Sequence, residues 1–306
     1  MPQSALVTAG RDAERIAELF LVMTAGALIV WAVVVALAVY AIRARETYSA
    51  RAANLLVIGG GVALPTVVLA ALLAYGLPVL PEILTPAPAG NLQIDVTGKQ
   101  WWWRVRYLSD QGAIETANEL RLPVGQRVNL RLASTDVIHS FWVPSIAGKM
   151  DLIPGRVTHL ALEPTRTGVF RGACAEYCGT SHALMAFHVV VMERDEFDAW
   201  LDHQAQPAQA PPHAQATQGQ VAFVANGCTA CHTIRGIASS GRIAPDLTHV
   251  GSRLRIGAGT LPNDSDSLVR WIAQTDTVKP GVHMPEFRAL PPGDLSSLAA
   301  YLESLK

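Results

Sequence analysis

Two short segments of this 306-residue chain gather side chains that can bind soft metals or redox cofactors. The first, residues 174–185, reads CAEYCGTSHALM and holds two thiols, an imidazole and a thioether, on Cys174, Cys178, His182 and Met185. Sulfur and imidazole ligands together favour copper or zinc. A disulfide between Cys174 and Cys178 is the alternative, because paired cysteines in an oxidising compartment normally join. The spacing favours a metal site in a loop between two strands.

The second segment, Cys228-Thr-Ala-Cys231-His232, has the C-x-x-C-H pattern of covalent haem attachment, in which the histidine ligates the iron. A thioredoxin-like redox pair is the alternative, but it requires a βαβ context that the flanking sequence lacks. Met284 is the last methionine of the chain, and Met/His ligation raises the potential of a haem. His249 and His283 remain weaker candidates for the second axial ligand, and Arg253 is a candidate partner for a haem propionate.

Two uncharged runs precede these segments, Leu19 to Ile42 and Leu55 to Leu80. Each is long enough to cross a hydrocarbon core of about 30 Å, and together they account for a charged fraction of only 16%. The sequence predicts a transmembrane hairpin of two helices, at about 17–43 and 54–80. A cleaved signal peptide is disfavoured for the first run, because a basic leader and a small-residue cleavage site are missing.

Charges around the hairpin predict its orientation. The connection carries Arg43, Arg45 and Arg51 against Glu46, whereas acidic residues outnumber basic ones before Leu19. The positive-inside rule therefore places the connection in the cytoplasm. We expect a two-pass protein of a bacterial plasma membrane, with both termini and everything after Leu80 on the periplasmic or outer side.

Short alternating segments follow the hairpin and predict an antiparallel β-sandwich or barrel over 91–201, closed by a brief helix at Phe197 to Leu201 with Asp195 as its cap. Residues 204–216 are Ala, Gln and Pro with one His, which predicts a flexible or semi-extended linker over 202–217. Residues 218–306 show helical patterning and predict a small all-α domain. The first domain is then 1–90, the N-terminal segment and the hairpin.

Composition excludes two broad classes. The 24 basic and 25 acidic residues cancel, which argues against a nucleic-acid-binding protein. Half of the residues are hydrophobic, which argues against a globally disordered chain.

Residues 174–185 match the C-x-E-x-C-x-x-x-H-x-x-M pattern of subunit II of haem-copper cytochrome c oxidases at every fixed position. Further segments resemble the same family: 100–103 (QWWW), 139–144 (HSFWVP) and 148–155 (GKMDLIPG). The C-terminal segment is similar to class I cytochromes c. The whole chain thus resembles subunit II of caa-type oxidases, in which a cytochrome c domain is fused to the subunit.

The resemblance implies a multidomain membrane protein: a two-helix hairpin, a cupredoxin-like β-sandwich and a class I cytochrome c domain. It implies a binuclear copper centre, CuA, whose ligands are His139, Cys174, Cys178, His182, Met185 and the backbone carbonyl of Glu176. It further implies a magnesium ion held by the Glu176 side chain, and Trp101 as the residue that receives electrons. For Trp102 and Trp103, packing in the sandwich or at the membrane interface is as good an interpretation as contact with a partner. His159 and His188 are interpreted as core or surface histidines.

By the same resemblance, electrons pass from a cytochrome c or a cytochrome bc-type complex through haem c and CuA to the catalytic subunit I, with subunit III as a further partner. The chain itself is a relay, and the complex reduces oxygen and pumps protons. Two alternatives remain: a CuA subunit of a nitric oxide reductase, and a membrane-anchored copper-binding or assembly protein. No acidic residue lies between Arg51 and Pro65, so no proton-uptake residue is assigned.

Overall fold

The computed structural model describes residues 3–43, 49–88, 90–109, 112–238 and 240–306. Two compact units are distinguished: Asp12–Thr85, and Pro86–Lys306 together with the N-terminal residues up to Arg11. Each unit is described by itself below.

The first unit is built from two long hydrophobic helical stretches. Helix α1 is Arg11–Arg43. The second stretch consists of α2 (Ala50–Asn54), a π-helical segment (Leu55–Ala63) that contains Gly59, Gly60 and Gly61, α3 (Leu64–Gly76) and α4 (Val79–Leu84). Both stretches are long and apolar enough to span a membrane, and their side chains are exposed. An ion pair of 3.3 Å between Arg15 Nε and Glu82 Oε2 joins the ends of the two stretches. Arg45 and Glu46, used to orient the hairpin, lie outside the described residues.

The second unit begins with a β-sandwich whose strands alternate buried and exposed side chains, as in Val128–Ser134. Its strands are β1 (Gln93–Lys99), β2 (Trp102–Ser109), β3 (Gly112–Ala117), β4 (Glu119–Pro123), β5 (Val128–Ser134), β6 (His139–Trp142), β7 (Met150–Leu152), β8 (Thr158–Leu162), β9 (Gly168–Cys174) and β10 (Ala186–Met192). Within the described residues they form two sheets, ordered β3-β2-β1-β5-β8 and β4-β10-β9-β6-β7. The core between them is aliphatic and aromatic, so a sandwich is confirmed. The sheets are mixed rather than purely antiparallel as predicted, because β1 pairs with β5 and β4 with β10 in parallel.

Helix α5, Arg194–Ala205, follows the last strand. It begins three residues before the predicted start, and Glu193 rather than Asp195 occupies the N-cap position. Phe197 and Trp200 pack on Tyr107 of β2 with ring centroids 6.2 and 5.2 Å away, which fixes the helix on the sandwich.

The C-terminal part is helical, as predicted, around its own apolar core. Its helices are α6 (Ala214–Ala225), α7 (Ser265–Ala273), α8 (Thr275–Val278) and α9 (Pro292–Ser304). The Asp264 side chain accepts a hydrogen bond from Ser267 N and caps α7. A short antiparallel ladder, β11 (Arg255–Ile256) and β12 (Leu261–Pro262), was not expected from the sequence.

Helices extend into the predicted linker from both sides, so residues 206–213 connect α5 to α6. This connection is held by hydrogen bonds. The Arg235 guanidinium donates to the carbonyl oxygens of Gln204 and Gln206, and Ala208 N donates to Arg235 O at 2.9 Å. The flexibility predicted from composition is therefore restricted where the connection leaves α5.

Candidate metal centre and cofactor cavity

The end of β9 and the loop that follows it carry the two cysteines of the first segment. Strand β9 ends at Cys174 and β10 begins at Ala186. The two are antiparallel neighbours, so the loop lies at the end of the sheet where β9 stops and β10 starts. Strand β6 lies on the other side of β9 and begins with His139. The two Sγ atoms are 3.8 Å apart. A disulfide requires about 2.05 Å, so the structure holds two separate thiols.

Four further donor atoms surround these sulfurs. Cys174 Sγ lies 3.2 Å from the Glu176 carbonyl oxygen and 3.9 Å from His139 Nδ1. Cys178 Sγ lies 3.5 Å from His182 Nδ1 and 3.8 Å from Met185 Sδ. All six groups predicted from the sequence thus converge on one pair of sulfur atoms, and the ligand atoms of His139, Cys174 and Cys178 lie within 4.8 Å of one another.

His139 is oriented by a partner that the sequence analysis missed. Its Nε2 lies 2.7 Å from Asp136 Oδ1, which leaves Nδ1 facing the thiols. Asp136 is itself held by the Gln100 N–H, at 2.8 Å from Oδ2. A Cβ at Gly98 would lie 2.7 Å from the imidazole, so glycine is required where β1 passes the ring. The D-x-x-H spacing was the available signal for Asp136.

Electrostatics favour one thiolate in this cluster. A hydrogen bond from the Cys178 thiol lowers the pKa of Cys174, and contacts with His139 and with backbone N–H groups act in the same direction. The pKa of Cys178 is raised because its neighbour ionises first and because it is buried. Burial opposes protonation of His139, but its hydrogen bonds to Cys174 and Asp136 outweigh this effect and raise its pKa.

The donor set fits copper. Two thiols, two imidazoles and a thioether are soft or borderline ligands, and the site is largely buried, with His139 at 0% and Met185 at 1% exposure. The side chain of Glu176, by contrast, is exposed, and only its backbone carbonyl faces the sulfurs.

The C-x-x-C-H segment borders a cavity of about 450 Å³ that is lined mainly by the C-terminal domain and in part by residues 99–102, 117–118 and 135–136 of the β-sandwich. Cys228, Cys231, His232 and Met284 all line it, although Met284 is distant in sequence. Its other walls are mostly apolar: Phe223, Leu268, Trp271, Ile272, Leu298 and Leu302. His232 Nδ1 lies 2.8 Å from the Pro245 carbonyl oxygen, which orients the ring and leaves Nε2 as its free ligand atom. Burial lowers the pKa of His232 and favours its neutral, ligating form.

The other arginine and histidine residues considered from the sequence differ in their surroundings. Arg253 lines the cavity, and its buried Nε has no hydrogen-bond partner among the described residues, which suits a haem propionate. His283 also lines the cavity. His249 does not serve as a ligand, because Lys306 O and Gln206 O occupy its two ring nitrogens at 3.1 and 3.0 Å. His159 is exposed and His188 is buried on β10.

The three tryptophans have different environments. Trp103 is buried in the sandwich core, 5.8 Å from Phe141 and edge-on to it. Trp102 is half-buried, with the Arg104 guanidinium 5.1 Å from its ring. Trp101 lies in the turn before β2, which begins at Trp102. Its Nε1 donates to the Cys178 carbonyl oxygen at 2.9 Å, and both Trp101 and Trp102 line the cavity of the C-terminal domain.

Comparisons with known proteins agree with both sites. Residues 108–193 match the family described as cytochrome c oxidase subunit II, periplasmic domain, and residues 216–306 match the cytochrome c family. Cytochrome c oxidase subunit 2 of Alkalihalophilus pseudofirmus is 39% identical over 216 residues, which cover 71% of this chain and 62% of that protein. The protein of the same name from Bacillus sp. strain PS3 is 36% identical over 226 residues, 70% of this chain and 62% of that protein.

Among solved structures, the periplasmic domain of subunit II of cytochrome oxidase from Bradyrhizobium japonicum is 34% identical; the match covers 39% of this chain and 96% of that one, with a TM-score of 0.36. The chain spans about 62% of the length of the two curated relatives. The two domain families imply copper in the first site and haem in the second. Behind two apolar helices, the order of the two matches is that of a cytochrome c oxidase subunit II periplasmic domain followed by a fused cytochrome c domain.

Proposed function

We propose that the chain is the subunit at which electrons enter a haem-copper terminal oxidase. An external cytochrome c or cytochrome bc-type complex reduces the cytochrome domain, the copper-binding domain accepts these electrons, and subunit I uses them to reduce oxygen to water with proton pumping. Bound haem and copper supply one-electron chemistry, and the protein supplies their ligands, their separation from water and their relative position.

The copper ligands of this proposal are His139, Cys174, Cys178, His182, Met185 and the Glu176 carbonyl. Their convergence on two sulfur atoms 3.8 Å apart supports a site at which these groups would hold two copper ions and supply one-electron chemistry. Two antiparallel strands and a short loop hold these groups. We therefore expect the positions of the ligand atoms to change little when the charge of bound copper changes. A magnesium ion at the exposed Glu176 side chain, facing subunit I, remains part of the proposal.

The haem ligands are His232 and Met284, with covalent attachment through Cys228 and Cys231. All four line one apolar cavity, which would exclude water from a bound haem. The neutral His232, oriented by Pro245 O, presents one nitrogen for ligation.

The observation that carries the proposal is the position of Trp101. One face of this residue borders the cavity of the cytochrome domain, while its indole N–H is bonded to the backbone of the copper ligand Cys178. The side chain is only 6% exposed, so an external protein would have little access to it. This supports a route in which electrons reach Trp101 from the chain's own cytochrome domain.

The further parts of the proposal concern assembly and domain limits. The chain is anchored by two membrane-spanning stretches, with both termini on the periplasmic side of the bacterial plasma membrane. Subunit I, subunit III and lipid are its partners. We propose domain limits of 1–90 for the membrane segment, 91–201 for the copper domain, 202–217 for the linker and 218–306 for the cytochrome domain.

An optical and EPR spectrum of the isolated full chain tests the proposal. We expect a haem c spectrum and an EPR signal split by two equivalent coppers. A single exchangeable copper would instead support a copper-binding or assembly protein, and Cys174→Ser must abolish the two-copper signal. Consumption of nitric oxide rather than oxygen by the purified complex would support the reductase alternative.

A further inference from the structure

A loop of the cytochrome domain touches both proposed cofactor sites. This bridging loop, residues 279–284, begins with Lys279-Pro-Gly and ends with the proposed iron ligand Met284. Its first residues contact the copper-binding domain at the turn of Trp101 and at the loop that carries His182 and Met185. One six-residue segment therefore connects the environments of two centres that lie in different domains.

Lys279 is the most unusual residue of the bridging loop, because a lysine side chain is here only 1% exposed. Its Nζ donates to three backbone carbonyl oxygens: Trp101 O at 2.6 Å, Leu184 O at 2.9 Å and Gly257 O at 3.1 Å. The first two acceptors belong to the copper-binding domain and the third to the cytochrome domain. Leu184 immediately precedes the proposed copper ligand Met185, and Gly257 lines the haem cavity.

The chemistry of the ammonium group matches this arrangement. An ammonium ion has three N–H donors and no acceptor, so three convergent carbonyls satisfy it completely. A neutral amine has one donor fewer and would leave one buried carbonyl without its bond. Burial lowers the pKa of Lys279 to about 7, and the electrostatic interaction with Cys178 opposes this shift. Hydrogen bonds to carbonyl oxygens favour the charged form of a lysine. A side chain without donors would leave all three carbonyls unsatisfied in the interface.

The residues after Lys279 continue the contact. The Ser181 hydroxyl donates to Pro280 O at 2.7 Å, next to the proposed ligand His182. Gly281 packs directly on the Trp101 indole: a Cβ there would lie 3.0 Å from its ring, and the residue has a φ of +78°. The bridging loop thus approaches Trp101 from two sides, by hydrogen bonding to its carbonyl and by packing on its ring.

We propose that Lys279 is a positioning residue for electron transfer between the two domains. By bonding to Trp101, Leu184 and Gly257 at once, it holds the wall of the haem cavity against the turn that contacts the copper ligands. This inference rests on the proposed function for its consequence, electron transfer, but the docking of the two domains is measurable independently of that function.

The first test compares variants of the full chain in detergent, loaded with haem and copper. Lys279→Met keeps the side-chain length and removes all donors, Lys279→Arg keeps charge and donors, and Lys306→Met is the control at an exposed lysine. Hydroxyl-radical footprinting with mass spectrometry reads the oxidation of Trp101, with buried Trp103 and Trp200 of α5 as references. Because charged hydrogen bonds are strong, we expect Lys279→Met to raise Trp101 oxidation about tenfold.

In the same variants, electron transfer from haem to copper is followed after flash reduction of the haem. We expect it to slow in Lys279→Met in proportion to the loss of Trp101 protection, with partial rescue in Lys279→Arg and no change in Lys306→Met. Unchanged Trp101 oxidation in Lys279→Met, with intact haem and copper spectra, would overturn the proposal.

A second measurement needs no variant. In the native full chain, an amine-acetylating reagent should modify exposed Lys149 and Lys306 and leave Lys279 unmodified until the chain is denatured. Acetylation of Lys279 as fast as Lys306 overturns the proposal even if Lys279→Met fails to fold. If the chain lacks the haem c or two-copper spectrum while Lys279 is still protected from acetylation and Trp101 from oxidation, the proposed function is refuted. The docking role of Lys279 then stands.

Discussion

The indole N–H of Trp101 donates a hydrogen bond of 2.9 Å to the carbonyl oxygen of Cys178. The same oxygen accepts a second hydrogen bond, of 2.8 Å, from Gln100 Nε2. The backbone of a proposed copper ligand is therefore fixed by two adjacent side chains. Both Gln100 and Trp101 line the cytochrome cavity, and Trp101 is the aromatic one of the two. This double contact allows the structural and electron-transfer roles of Trp101 to be separated.

Trp101→Phe should keep the copper site and slow electron transfer into it. The phenyl ring preserves most of the packing, and Gln100 continues to satisfy Cys178 O, so we expect a loss of stability of about 1 kcal/mol. Flash reduction of the haem should then show slower copper reduction with an unchanged copper EPR signal. Trp102→Phe is the matched control, and an equal rate in Trp101→Phe and wild type would contradict the proposed route.

Asp136→Asn should weaken copper binding. The neutral amide cannot fix the His139 ring as the carboxylate does, and loss of such a supporting partner typically costs about 10- to 100-fold in metal affinity. Competition with a copper chelator measures this change. Asp198→Asn, on the exposed face of α5 where Asp198 pairs with Arg194, is the control and should leave affinity unchanged. Equal affinities in the two variants would show that Asp136 does not support the site.

Glu119→Ala should destabilise the contact between the two domains of the second unit. One carboxylate oxygen of Glu119 accepts two bonds from Arg121, and the other accepts the Leu254 N–H of the cytochrome domain at 2.8 Å. Truncation leaves a partly buried guanidinium and a backbone N–H without this partner, so we expect a loss of about 1–3 kcal/mol. Chemical denaturation monitored in the full chain measures it. Glu196→Ala, at an exposed position of α5, should change stability by much less, and equal losses would contradict the assignment.

Stability should fall in mildly acidic solution because of His188. Burial lowers the pKa of His188, with Arg255 and Arg171 acting in the same direction and Glu119 opposing them. The unfolded chain therefore binds the proton first as the pH falls through about 6.5, and the folded state is progressively destabilised below that pH. Above it, both states are neutral at this residue and the full stability is present.

The melting temperature of the full chain at about pH 8 and pH 5.5 checks this expectation. His188→Gln removes the titrating group and should reduce the difference between the two pH values, whereas the exposed His159→Gln should not. A pH dependence that is identical in wild type and His188→Gln would assign the effect to other groups.

The motif residues were accessible to sequence reasoning because their chemistry is local. Cys174, Cys178, His182 and Met185 lie within twelve residues of the chain, and the spacing of Cys228, Cys231 and His232 is specific for haem attachment. Short strands such as β6 and β7 cannot be located from the sequence, because three or four residues carry too little alternation to be recognised. Their pairing depends on β9, which is distant in sequence.

Asp136 and Lys279 show what the sequence indicates only weakly or not at all. The D-x-x-H spacing is a weak signal, and Asp136 looks like an ordinary turn residue until His139 is placed beside it. Lys279 looks like a solvent-exposed lysine in a Pro-Gly turn, and its role depends on carbonyls 178 and 95 residues away in the chain. Backbone carbonyls carry no sequence signature, so an interface built on them is visible only in three dimensions.

The anchored connection between α5 and α6 also affects stoichiometry. Arg235 and Ala208 hold residues 204–208 to the cytochrome domain close to where they leave the sandwich. Because both domains lie on one chain, each copper-binding domain has its own cytochrome domain at a ratio of one to one. On the proposed route, this anchored neighbour takes the place of a diffusing protein at the surface around Trp101.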